Sequence, residues 1–463
     1  MTGSFDADVV VLTSRFAPEK DGGYAVAVMS RLLAVQRAGA SPPLLLTLDA
    51  GPPHDREHAA AFAIESGMPS ESFTMRNLFD EALRDPRWLS ASARPGEPTP
   101  GLAYRQLRDD QGTPVLSLPV INDPSGWYLS EANVVIHDGD RDLVLSGFGE
   151  LYVAWLSHVA EGLRAAAGDD ERQLVVICES RQVGEVLHRW RDPRVRIVHT
   201  VHNSHLASPF DRSAPLRDDG WRRWLEGMDN FDLVVWPTHA QRSEVDQRFP
   251  HRVPFASVPS AILPRPSRRA APRRSADVVI MACRLVDQKR VDLAVRAWEE
   301  VVRLRPRARL DVYGNGPLRD RLAALIRERG LERAVRLRGH SDDVRTAMEQ
   351  ARAFLSTSAF EGQGLAIIEA MSAGLPVVSF DVRYGPAEII GDGGILVAPD
   401  DVSGIARAIV ALLEDDDRWE HASAHARRAA ARFAPEVVGR HLLSELDAVL
   451  AVPASRLCAL AEA

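Results

Sequence analysis

Two glutamates eight positions apart flank a glycine turn in the stretch Glu361-Gly362-Gln363-Gly364-Leu365-Ala-Ile-Ile-Glu369, which runs on to Gly374 and Pro376. A strand ending near Ser356 would feed the turn, and an apolar helix would leave it, ended by Gly374 and stopped by Pro376. The glycines let backbone amides approach an anion at the helix N-terminus, where the dipole favours negative charge. Glu361 on the loop and Glu369 a turn inside the helix can accept hydroxyl hydrogen bonds from two different sugar rings, with a phosphate held between them. A Gly-x-Gly turn alone recurs too widely to define a site.

Cations are the second signal. Two of the 56 basic residues, Lys20 and Lys289, are lysine and the rest are arginine. A compact ammonium does what the broad guanidinium fork does not, so both lysines are candidates for gripping a phosphate. Lys289 closes Ala282-Cys-Arg284-Leu-Val-Asp-Gln-Lys289, and Lys20 precedes Asp21-Gly22-Gly23. Thr200-Val-His202-Asn-Ser-His205 ends another predicted strand, at the edge where open parallel sheets bind ligands. Either histidine could face a cleft there.

The elements that must hold these residues read as parallel βαβ units, with short β-branched runs alternating with amphipathic stretches. Strands are expected at 9–13, 44–48, 174–178, 196–201 and 233–236, and in a second series at 278–282, 310–313, 335–337, 353–356, 377–380 and 395–397. Between the series lies a proline- and arginine-rich linker, 263–276. The rhythm breaks over 67–147, where alternation in 113–120 and an Asp138-Gly139 turn between two runs predict an antiparallel inserted module. The expected fold class is therefore α/β, two Rossmann-like doubly wound domains facing a cleft. One is formed by 1–66 with 148–262 and the other by 277–433, and a final helix in 434–463 packs back on the first.

Taken together, these motifs resemble the family 4 retaining glycosyltransferases, which have the GT-B fold. Glu361 and Glu369 match its signature, Arg284 and Lys289 its Arg-Leu-x-x-x-Lys element, and Tyr313-Gly314-Asn-Gly316-Pro317 its Gly-x-Gly-Pro turn. Leu337-Arg-Gly339 matches the segment that meets the base. The resemblance implies that Arg284 and Lys289 neutralise the donor diphosphate, that Glu369 holds the ribose and that Glu361 holds the donor sugar. The amides of Gly362, Gln363 and Gly364, with Leu365 opening the helix, would lie between, and Gly22 and Gly23 would face the donor phosphates. His202 would approach the reaction centre, with His205 as its competitor. Tyr384-Gly385-Pro386-Ala-Glu-Ile389-Ile390 and the insertion are similar to the poly(glycerol-phosphate) α-glucosyltransferase and wall-teichoic-acid group.

The function so implied is transfer of a hexose or N-acetylhexosamine from a nucleotide sugar, UDP-glucose or UDP-N-acetylglucosamine, to a hydroxyl of an anionic polyol-phosphate or other cell-surface glycan. No carboxylate is evident beside His202 as an enzymic nucleophile, so front-face attack is expected. No Asp-x-Asp stands where a metal would be held, and no metal or other cofactor is expected, the cations taking that role. The alternatives are a protein O-glycosyltransferase of the same family and a non-catalytic partner acting through the inserted sheet, which could also join copies of the chain. An epimerase or phosphorylase on a similar scaffold would lack this glutamate pairing or need a further lysine.

Composition sets the remaining bounds. A net charge of −8 argues against nucleic acid as a partner. Three scattered cysteines, Cys178, Cys283 and Cys458, carry no metal-ligand spacing and suit a reducing interior. The apolar run after Asp8 is too short for a signal-peptide core, and no run of eighteen apolar residues occurs. A cytoplasmic place is expected, with at most peripheral contact at the inner face of the membrane.

Overall fold

The computed structural model describes residues 5–18, 22–51, 53–69, 73–123, 126–139, 141–208, 210–263, 274–341 and 343–454. Lys20 and most of the expected linker, 264–273, lie outside the described residues. Strands β1 (Asp8–Thr13), β2 (Leu44–Thr47) and β3 (Thr74–Asn77) open the chain. An insertion follows with β4 (Arg94–Pro95), β5 (Tyr104–Arg108), β6 (Pro114–Pro119), β7 (Asn133–Asp138) and β8 (Arg141–Ser146). β9 (Leu174–Cys178), β10 (Val195–Thr200), β11 (Leu233–Trp236) and β12 (Phe255–Ser257) complete the first half. The second half carries β13 (Val278–Ala282), β14 (Arg309–Tyr313), β15 (Val335–Gly339), β16 (Ala353–Ser356), β17 (Val377–Phe380) and β18 (Gly394–Val397).

Two sheets are wholly parallel, in the orders β12-β11-β10-β9-β1-β2-β3 and β15-β14-β13-β16-β17-β18. Both faces of each are covered, so the central strands are near-continuous apolar runs. In β1, Val10 and Leu12 enter one core while Val9 and Val11 enter the other, as the two-residue period of a strand requires. Each sheet winds one way and then the other, which leaves one crevice where the winding reverses. In the first half it lies beyond the ends of β1 and β9, and in the second beyond β13 and β16. Ligands of open α/β sheets bind at such switch points.

The insertion differs from its expected span. Residues 67–147 were expected to be antiparallel throughout, but β3 joins the parallel sheet beside β2, with Leu44 opposite Thr74 and Thr47 opposite Asn77. The physical reason is Asn77. Its side chain donates to Thr47 Oγ1 at 2.9 Å and accepts from the amides of Phe79 and Asp80, fixing the strand edge and capping the next helix at once. The antiparallel sheet, β4-β8-β7-β6-β5, therefore spans Arg94–Ser146. Leu116, Val134, Ile136 and Leu145 share one core with Val10 and Leu12, so the insertion is welded to the domain that carries it.

The last helix, Pro435–Leu450, lies against the first long helix, Gly23–Arg37. The contact is close because Gly439 has no side chain: a Cβ there would stand 1.9 Å from the Ala34 carbonyl oxygen. Val438, Leu442 and Leu446 fill the core alongside. Among the described residues no helix is long and apolar enough to cross a membrane.

Candidate active site

The loop after β13 carries Arg284 and Lys289, and the loop after β16 carries Glu361. β13 and β16 are neighbours at the switch point, so residues 72 apart in sequence meet: Lys289 Nζ is 2.6 Å from Glu361 Oε1. Ser358 Oγ donates to the same oxygen at 2.6 Å. Arg290 holds the left-handed backbone (φ 46) that starts the helix Val291–Leu304. The Thr357 hydroxyl, 3.0 Å from both the Lys289 and the Arg290 carbonyl oxygens, ties this turn to the neighbouring strand end. Non-glycine residues take this conformation only where their surroundings enforce it.

The Gly314–Gly316 turn is strapped to the same loop. A Cβ at Gly314 would lie 2.0 Å from the Cys283 carbonyl oxygen, and one at Gly316 2.3 Å from that of Leu285. Only glycine lets the backbones approach so closely. Gly314 N also donates to Gly339 O at 2.7 Å, which joins the end of β15 to the turn, while Leu337 stands half-buried two residues earlier on that edge strand. Glu369 sits in the helix Leu365–Ser372, which starts at Gly364 and Leu365.

Across the cleft, Gly22 begins the helix Gly23–Arg37, and a Cβ on it would be 4.0 Å from the Arg284 Cδ atom. Gly362 lies directly against the His202 carbonyl: a Cβ would come to 2.0 Å from that oxygen. The Gln363 side chain accepts from Ser260 N at 2.8 Å. Thus His202, Gly22, Arg284, Lys289 and Glu361–Gly364 gather around one interdomain cleft.

The two histidines separate. His202 keeps a partly exposed ring in the cleft, edge-on to Tyr24 with centroids 5.0 Å apart. His205 is fully buried, stacked on Tyr384 at 6.1 Å, and burial pushes it down to about 4, so it is a neutral packing residue. The structure does place a carboxylate beside His202, behind the ring and not at the cleft. Glu179, directly after β9 at the first switch point, accepts from His202 Nε2, from the Thr200 hydroxyl and from Arg31 Nε at 3.3 Å. Burial alone would raise its carboxyl, but His202, Arg31 and Thr200 hold it down to about 2. Its side chain has no exposed surface, so it orients His202 from behind and does not face the cleft.

Sequence reasoning also passed over Tyr24, Ser358 and Thr357. Glu179 left one signal, a charged residue directly after an unbroken apolar strand, the place where sheet-end ligand residues stand.

Two parallel doubly wound sheets facing one cleft, with the Lys289–Glu361 pair and a glycine turn at the second switch point, form a GT-B scaffold. Residues 276–415 match the family model described as "Glycosyl transferases group 1". The chain is 28% identical over 251 residues to the poly(ribitol-phosphate) alpha-N-acetylglucosaminyltransferase of Staphylococcus aureus (strain COL), covering 53% of this chain and 50% of that one. It is 25% identical over 311 residues to the poly(glycerol-phosphate) alpha-glucosyltransferase of Bacillus subtilis (strain 168), covering 66% and 43%. The crystal structure of TarM superposes with a TM-score of 0.72 at 18% identity over 96% of this chain and 98% of that one, a likeness of fold. The chain spans half or less of the length of these two relatives.

Proposed function

We propose that the protein transfers a hexose or N-acetylhexosamine from a UDP-linked donor to a hydroxyl of a cell-surface polymer or precursor, polyol-phosphate chains among them, with retention of configuration. The observation that carries the reading is the Lys289–Glu361 pair, 2.6 Å apart at the switch point and facing Gly22 and His202 across the cleft. An ammonium has three donors, so Lys289 can keep Glu361 while it also donates to a diphosphate. Glu361 is thereby aimed at the sugar next to that diphosphate, and Glu369 one helical turn in takes the ribose.

In the reaction the acceptor oxygen bonds to the anomeric carbon on the face from which the phosphate oxygen departs. The departing phosphate takes the acceptor proton and leaves as UDP. Arg284 and Lys289 stabilise the charge that grows on it, acting where charge develops in the transition state. Glu179 has no exposed surface and three partners of its own, which favours this front-face path over a covalent enzyme intermediate. His202, oriented by Glu179, stands at the donor sugar. With two cations at the diphosphate the reaction proceeds without a divalent metal. The protein works on the cytoplasmic side, at most touching the inner membrane face, and the inserted sheet could join copies.

The test is release of UDP from UDP-glucose and UDP-N-acetylglucosamine, with and without polyol-phosphate acceptors and with excess EDTA, the product anomer being read by NMR. An α-linked product formed at equal rate in EDTA is expected. Inversion or a metal requirement refutes the mechanism, and donor binding without turnover favours the non-catalytic reading.

A further inference from the structure

A cavity of about 560 Å³ lies between the carboxyl ends of β1 and β2 and the inserted sheet, within the roughly 300–1,000 Å³ typical of small-ligand sites. None of the residues given donor roles above lines it. Its walls come from the first half of the chain and from the insertion. The inner part is aromatic: Trp127 stands edge-on to Phe148 at 4.9 Å, and Phe148 leans on Tyr152 at 6.2 Å. The lining carries two exposed cations, Arg15 after β1 and Arg105 on β5, and one half-buried carboxylate, Asp49. Arg105 Nη2 donates to Ala50 O at 3.2 Å, which holds its guanidinium over the junction.

One side chain joins this cavity to the reaction centre. Tyr24 lines it, is fixed by a 2.7 Å hydrogen bond to Thr13 Oγ1, and presents its ring to His202. A molecule seated in the cavity therefore lies beside the place where the donor sugar meets His202. We propose that the cavity is the acceptor site and that it takes a sugar ring carrying or adjoining a phosphate, with the ring on the aromatic wall and the phosphate at Arg105 and Arg15. The inference rests on the donor reading above and, among the acceptors named there, selects a phosphate polymer or precursor that carries a sugar ring over a bare polyol-phosphate chain. A pyranose has an apolar C–H face that an aromatic wall can cover, whereas an open polyol presents hydroxyls all round. Guanidinium forks match phosphate oxygens two at a time. Trp127 and Arg105 are then specificity residues supplied by the insertion.

Three probes separate the contributions: methyl glucoside 6-phosphate, methyl glucoside and glycerol phosphate, each titrated by NMR against full-length protein saturated with UDP. The phosphorylated ring is expected to bind at least about tenfold more tightly than either other probe. Val120 is exposed at the cavity wall, so Val120→Trp should fill the space without disturbing the fold and should abolish that binding while UDP-sugar hydrolysis stays unchanged. Arg105→Glu should remove the advantage of the phosphorylated ring over the neutral one. Equal binding by glycerol phosphate, no binding by any probe, or binding indifferent to Val120→Trp overturns the acceptor proposal. A wild-type protein that neither binds UDP nor hydrolyses UDP-sugars overturns the donor reading instead.

Discussion

Replacing Glu179 by glutamine tests the network behind His202. The carboxylate is fully buried and shared by His202, Thr200 and Arg31, whose side chain is only 4% exposed. Removing one partner of a buried pair leaves the other charge uncompensated, at a cost of about 3–5 kcal/mol. The pH dependence gives a sharper signature. The carboxyl sits at about 2 against an ordinary value of 4.5, and at about 1.4 kcal/mol per pH unit this is linked to about 3 kcal/mol of stability. Because the folded value is the lower one, the unfolded chain binds the proton first as pH falls. The stabilisation is complete above pH 4.5 and drains away toward pH 2. Urea unfolding of wild type and Glu179→Gln should show a wild-type advantage at pH 7 that narrows by about 2 kcal/mol by pH 3. A gap that stays constant over that range refutes the network.

Lys289→Ala and Glu369→Ala are expected to lose UDP binding in calorimetry and to lose turnover while circular dichroism stays unchanged; near-normal turnover in either removes that residue from the site. Gly362→Ala would set a Cβ 2.0 Å from the His202 carbonyl oxygen and force the two halves apart. A displacement of about an ångström at a reaction centre costs on the order of a hundredfold in rate, so turnover should fall that far with little change in unfolding temperature, and unaltered kinetics would show that the halves need not touch. Gly439→Ala meets the Ala34 carbonyl oxygen at 1.9 Å. Overpacking of this kind costs about 1–3 kcal/mol, so its urea midpoint should drop, and an unchanged midpoint would mean the last helix is not docked there.

The parallel strands were legible because burial on both faces leaves unbroken apolar runs such as Val9–Leu12 and Val175–Cys178. The strand β3 was not, because Thr-Met-Arg-Asn lies at the sheet edge and carries no such run. The Glu361–Lys289 meeting could be anticipated from motif residues, but its cause is topological: β13 and β16 must be adjacent at the reversal of winding. Glu179 escaped notice because its partners come from the end of another strand and from the helix Gly23–Arg37. Only the parallel register of β10 on β9, with His199 opposite Cys178, carries Thr200 and His202 past the end of β9 to meet it. The cavity beside the insertion is likewise a product of packing between segments that share no motif.

The Tyr384-Gly385-Pro386 stretch, which drew attention only as a resemblance, turns out to be a clasp. Tyr384 Oη donates to the buried Glu244 at 2.7 Å and Arg383 Nε donates to it at 2.8 Å. Burial and the Glu244 charge push the phenol above its ordinary range, so it remains a donor. Glu388 accepts from the amides of His239 and Ala240 at the start of the helix His239–Arg248, where a carboxylate also meets the helix dipole favourably. The same loop grips the Glu361 turn: Glu361 N donates to Arg383 O at 2.9 Å and Tyr384 N returns a bond to Glu361 O at 2.8 Å. The backbone that carries the Glu361 carboxylate is therefore fixed by the contact that holds the two halves together. On the proposed function, the residues around Glu361 therefore serve the interface and the donor sugar at once.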